Sequence, residues 1–143
     1  RMRRDIAGTL VFDAGVLIEL LLQSEKGIFI RDALLNNLID AHTTEIAITE
    51  VKYVLCRKIG WEEGNKRAEK LLASGYLEVW KTGWLIEFAA KYKCERRISL
   101  ADCFILALAK KLGCKALFAR REVELKEEIE KQGFDIEIVF VEE

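Results

Sequence analysis

The sequence predicts an α/β fold: a three-layer α/β/α sandwich around a mostly parallel sheet of four to five strands. Three observations carry that expectation. Short runs such as Leu10-Val11-Phe12 and Ala116-Leu117-Phe118 are apolar throughout, as in strands covered on both faces. The stretches between such runs place apolar residues three and four apart, which is the period of a helix. Strands regularly separated by helices close into a parallel sheet through right-handed crossovers, with helices on both faces.

Leu10 to Asp13 reads as the first strand. Val16 to Gln23 and Ile28 to Ile39 have helical spacing, and the polar Ser24-Glu25-Lys26-Gly27 divides a short helix from a longer one. Ile46 to Ile48 is the expected second strand. Glu50 to Lys58 and Glu62 to Ala73 form a helical hairpin, with Gly60 and Gly75 as stops. Tyr76 to Trp80 alternates as a strand does, and Trp84 to Tyr92 and Ser99 to Leu112 return to helix. Lys115 to Phe118 is a further strand, followed by a helix over Glu122 to Lys131 and a strand over Ile136 to Val141. No linker, repeat or low-complexity segment interrupts this order, so residues 1–143 are expected to form one domain.

The size agrees, because chains near 150 residues bury roughly 70% of their unfolded surface. With 23 basic and 24 acidic residues, the chain has no global field drawing it to nucleic acid. Any such binding must be local, and the basic groups available are Arg1, Arg3 and Arg4, then Arg96 with Arg97, then Arg120 with Arg121. Taken singly, each reads as a solvated surface group. Arg1 ahead of Met2 reads as foreign to the natural start, so the N-terminus carries little weight.

Cys56, Cys94, Cys103 and Cys114 show no CxxC spacing, and three of them lie in helical patterns, where cysteine behaves as a small buried residue. A reduced, cytoplasmic protein is expected. The apolar run Val16-Leu17-Ile18-Glu19-Leu20-Leu21-Leu22 falls short of the ~20 residues a membrane span needs. Neither a GxGxxG nor a GxxxxGK[ST] segment is present, which disfavours dinucleotide binding and P-loop hydrolysis. His42, the only histidine, is expected at the surface. Trp61, Trp80 and Trp84 sit at element boundaries and are expected to serve core or dimer packing before base stacking.

The chemistry lies in three acids. Asp13, Glu50 and Asp102 each fall where an apolar segment meets a helix start, and in a parallel sheet such positions converge outside the strands' carboxyl ends. Clustered carboxylates raise one another's pKa until they hold protons or recruit cations. An oxygen-only donor set suits Mg2+ or Mn2+ and points to phosphoryl chemistry. Each acid also has an ordinary structural reading. Asp13 is an N-cap candidate, Ser99 and Asp102 fit a capping box, and Glu50 after Thr49 fits a first helical turn.

Three segments together resemble the PIN domain family, nuclease domains typified by VapBC-type toxins: LVFDAGVLIELLL, AITEVKYVLCRKIG and ISLADCFILALAKKLGCKALFA. The resemblance implies a Mg2+- or Mn2+-dependent endoribonuclease with Asp13, Glu50 and Asp102 as its catalytic acids: Asp13 the principal direct metal ligand, Asp102 a ligand or a water-mediated partner, and Glu50 the acid that orients water. It also implies a small antitoxin partner and a homodimer. Two departures stand out. Asp13 is followed by Ala14-Gly15 in place of a hydroxyl residue, and Arg121 falls where a fourth acid is common; Glu122, one residue later, either substitutes as a metal-site acid or only complements a helix N-terminus. Arg120, Arg121 and Lys52 are the expected contacts to RNA phosphates. The alternatives are a PIN-like module that binds RNA or protein without cleaving, and a receiver-like or phosphatase domain.

Overall fold

Leu10, Val11 and Phe12 have no accessible surface and form the end of β1 (Gly8–Phe12), the central strand of a five-stranded sheet. The computed structural model describes residue 3 and residues 5–142. Around β1 stand β2 (Ile39–Thr44), β3 (Leu77–Trp80), β4 (Lys115–Phe118) and β5 (Ile138–Phe140), in the order β3-β2-β1-β4-β5. Every pairing is parallel, with Leu10 opposite Ala41 on one side and Lys115 on the other. That order differs from the 2-1-3-4-5 order of receiver domains, so the receiver-like alternative falls.

The strands step one way from β1 to β3 and then cross to β4, so right-handed connections place the helices on both faces. On one face α1 (Ala14–Leu22), α2 (Glu25–Leu35), α3 (Glu45–Ile59) and α4 (Trp61–Ala73) pack against one another. On the other, α6 (Leu100–Leu112) lies over β1, β2 and β4 and packs against α5 (Ile86–Glu95), which follows a short 3-10 turn at Gly83–Leu85. α7 (Val123–Lys131) joins this second face, where Arg96 reaches its C-terminal carbonyls. The face is also tied by the Tyr92 hydroxyl, which donates to Asp135 at 2.5 Å, and by Lys110, which pairs with the same carboxylate. Among the described residues no helix is long and apolar enough to cross a membrane.

The second strand lies earlier than the sequence suggests. Ile46 to Ile48 belong to α3, and β2 is the polar-looking Ile-Asp-Ala-His-Thr-Thr. Burial without loss of hydrogen bonds is what permits such a strand. Thr43 donates to the Phe12 carbonyl at 2.8 Å, and the Thr44 hydroxyl accepts from Ala47 N–H at 3.1 Å, capping α3. His42 is 7% exposed, not a surface residue. Trp80 Nε1–H donates to its Nδ1 at 3.0 Å, which leaves Nε2 to donate to Asp40 at 3.0 Å.

Other boundaries also move. α2 stops at Leu35 rather than Ile39, because Asn37 turns left-handed at φ 55° before Ile39 enters the sheet. Gly27, expected in a break, lies inside α2 where it crosses the end of α1. The tryptophans do not fill the core: Trp61 is 55% and Trp84 43% exposed, and Trp80 is half-buried against His42. All four cysteines are free; Cys103 is buried as expected, whereas Cys56 is half-buried and Cys94 exposed.

Arg96 is structural rather than part of a basic patch. Its guanidinium donates to the carbonyls of Glu128, Gln132 and Gly133 at 3.2, 2.8 and 2.7 Å and lies 3.9 Å over the Phe134 ring. Arg96→Ala is therefore expected to lower unfolding free energy by about 2 kcal/mol in urea denaturation, through lost charge-assisted bonds at the end of α7. Arg3 is likewise engaged, with Asp5 and with the carbonyls of Phe140 and Val141. Arg1 and Arg4 lie outside the described residues.

Candidate active site

Connections leave β1 and β4 in opposite directions, and in open α/β sheets the crevice at such a point takes ligands. Asp13 sits there because β1 runs directly into α1. With φ −76° and ψ 170° it is the N-cap of α1, its Oδ1 accepting from Val16 N–H at 3.0 Å. Its own N–H donates to the Leu117 carbonyl of β4 at 3.0 Å, fixing it to both strands. The capping reading and the site reading are both true of this residue, since the carboxylate also lines the cleft.

Gly15 keeps that carboxylate accessible. A Cβ there would stand 3.3 and 3.4 Å from the two Asp13 carboxylate oxygens and 3.1 Å from the Ala119 Cβ. Gly15 thus leaves room around Asp13, where a side chain would crowd it.

The cleft measures about 410 Å³ and gathers Asp13, Glu19, Glu50, Asp102 and Glu122 along its walls, with Arg120 and Lys58. Glu50 reaches it from the second turn of α3, not from the first. Thr44 is the cap and Glu45 the first-turn acid, so neither Thr49 capping nor the helix dipole explains Glu50. Asp102 arrives from the first turn of α6, whose cap Ser99 accepts from Asp102 N–H at 3.1 Å. Glu122 is the residue ahead of α7 and makes no side-chain capping bond there.

Electrostatics couple these groups. Burial, and then the charges of Asp102, Glu122 and Glu50, push Asp13 up to about 8 against the pull of Val16 N–H. Burial and then Glu122 push Asp102 up to about 7, with a hydrogen bond accepted from the Ser99 side chain opposing them. Glu50 is raised by burial and by Glu122. At neutral pH the cleft by itself therefore retains protons that an ordinary surface carboxylate has lost.

Of the three basic residues expected to meet substrate, Arg120 lines this cleft. Lys52 is paired with Glu69 of α4 at 2.7 Å. Arg121 turns away, its guanidinium 4.6 Å over the Phe140 ring in a groove beside β5, so it does not stand among the carboxylates. Glu19, Tyr53 and Lys58 also line the cleft and were missed in the sequence. Helical spacing from Glu50 through Tyr53 and Val54 to Lys58 was the signal that could have found the last two.

The anionic donors of the cleft are all carboxylate oxygens, which fit a hard divalent cation and no soft one. Among the described residues no group of three or more His, Cys, Asp or Glu side chains is arranged to enclose an ion by itself. An ion suited to this cleft must therefore keep much of its water, as Mg2+ does when one or two carboxylates hold it.

A parallel α/β sheet with an acidic, oxygen-lined cleft at its carboxyl edge defines the class. Within that class, the chain belongs to the PIN domain family, which it matches over residues 10–126. It is similar in structure to VapC20 of Mycobacterium tuberculosis, a sarcin-ricin loop cleaving toxin, at 17% identity and TM-score 0.66, covering 82% of this chain and 93% of that one. It also resembles DNA-bound VapBC of Salmonella typhimurium, at 14% identity and TM-score 0.69 over 93% and 98% of the two chains. A third neighbour is VapBC-1 of nontypeable Haemophilus influenzae, at 18% identity and TM-score 0.63 over 93% and 98%. No match is found among curated protein sequences.

Proposed function

We propose that this protein is a metal-dependent endoribonuclease, using Mg2+ or Mn2+ to hydrolyse RNA phosphodiester bonds, and the toxin of a toxin–antitoxin pair. The observation that carries the reading is the convergence of Asp13, Glu50, Asp102 and Glu122 on one cleft, with three of them raised. Asp13 and Asp102 would hold the cation directly, with Glu122 meeting it through retained water. Bound there, it supplies Lewis acidity and charge neutralisation at the scissile phosphate. Glu50, half-buried at the wall, orients the attacking water and accepts its proton. Arg120 meets the phosphate oxygens. VapBC assemblies among the structural neighbours support a small antitoxin partner, and the free cysteines accord with a reducing cytoplasm. A homodimer completes the proposal.

The second reading, a PIN-like module that binds without cleaving, draws on the absence of a ready-made ion cage among the described residues. Mn2+ titration by calorimetry, with cleavage of mixed single-stranded RNA in the same buffer, separates the two. Glu122→Gln is expected to weaken Mn2+ binding about tenfold, whereas Arg121→Ala leaves it within about twofold. RNA binding with no cleavage at saturating Mn2+ would establish the second reading instead.

A further inference from the structure

We propose that Tyr53 and Lys58 of α3 form a binding track for single-stranded RNA beside the scissile phosphate; this deepens the nuclease reading and rests on it. The α3 wall of the cleft runs from Glu50 through Tyr53 and Val54 to Lys58, residues that fall on one helical face. Eight residues at 1.5 Å each carry that face ~12 Å from the acids, enough for a short stretch of strand beyond the cleaved bond.

The chemistry along the wall changes in the order a nucleic acid requires. At its inner end are carboxylates suited to a cation, and further out come an aromatic ring and an ammonium group. Tyr53 is 46% exposed while lining the cleft, and the Arg57 guanidinium lies 4.9 Å from its ring centroid. The contact steadies the ring and adds positive charge beside it, which suits stacking of a base. Lys58 is exposed on the same wall and, among the described residues, has no ion-pair partner, whereas Lys52 on the same helix is held by Glu69. Lys58 is therefore free to meet a backbone phosphate. Glu19 also faces the cleft, so a strand gripped by Lys58 is kept to the α3 wall by repulsion from α1.

The test uses a fluorescein-labelled single-stranded RNA and measures anisotropy with Ca2+ as the hard cation, then steady-state cleavage in Mn2+. Tyr53→Ala and Lys58→Ala are each expected to weaken binding about tenfold and to raise KM with kcat within about twofold. Lys58→Ala also lowers the salt slope of binding by about 0.7, the loss of one single-strand phosphate contact. Tyr53→Phe and Lys58→Arg bind as the wild type does, and thermal melts of the two alanine variants that match the wild type exclude damage to the fold. Unchanged binding in both alanine variants overturns the track, and wild-type cleavage in that case leaves the nuclease reading standing. Binding that depends on Tyr53 and Lys58 without any cleavage keeps the track and removes the nuclease reading. A wild type that neither binds nor cleaves overturns both.

Discussion

Asp13→Asn is expected to abolish RNA cleavage, by about a thousandfold or more, while making the metal-free protein more stable at alkaline pH. The two effects oppose one another because, on the proposed nuclease reading, the carboxylate that would hold the cation also costs the fold stability when it ionises. Burial and neighbouring acids raise Asp13 from 3.8 to about 8 in the folded protein. Between those values the folded state holds a proton that the unfolded chain has released. The stability from the protonated acid is complete below about pH 4 and is lost as pH rises through about 8. Asparagine never ionises, and its side-chain oxygen still caps Val16 N–H, so the variant escapes that loss.

Water reaches the open cleft, so the gain at pH 9 is expected to be only about 1–2 kcal/mol, well below what the full shift would give. Urea denaturation of both proteins at pH 5 and pH 9 in EDTA checks it, together with cleavage in Mn2+. Equal stability at both pH values would show that Asp13 ionises freely and that the cleft does not press its carboxylates together.

Gly27→Ala is expected to destabilise the protein by at least about 3 kcal/mol, against the usual gain of about 0.5–1 kcal/mol for alanine in a helix. A Cβ at residue 27 would stand 2.0 Å from the Glu19 carbonyl oxygen, 2.5 Å from its carbon and 2.9 Å from the Leu20 Cα. All three are backbone atoms, which cannot rotate aside. Relief requires α1 and α2 to part, and α1 carries Asp13 at its N-terminus. Thermal melts should show the loss, and manganese affinity should fall with it. Gly64→Ala is the comparison. Its Cβ would stand 2.8 Å from the Leu55 Cβ, 3.1 Å from the Leu55 carbonyl carbon and 3.3 Å from the Cys56 nitrogen, a much shallower overlap than at residue 27, so a smaller loss is expected.

The two variants mark the boundary of what the chain discloses in one dimension. Strands buried on both faces announce themselves by continuous apolar runs, so β1 and β4 are legible, as are the long helices with regular spacing. Asp13 and Asp102 are legible for the same reason: each adjoins an unmistakable element, and site chemistry is restricted to a few residue types. β2 is not, because its buried His42 and Thr43 satisfy their polar atoms with Trp80 and Phe12 from elsewhere in the fold, and Thr44 caps the helix that follows. Misplacing that strand also placed Glu50 in a first turn it does not occupy.

The same limit governs the basic residues. Arg120 and Arg121 are adjacent and chemically identical, yet one lines the cleft and the other lies over Phe140. Local pattern fixes the period of an element and the kind of chemistry available. Which way a side chain turns, which helix a glycine must admit and which carboxylate keeps its proton depend on atoms distant in sequence. Those contacts come into being when the chain packs, and burial and Coulomb energy act over distances in space and not along the backbone.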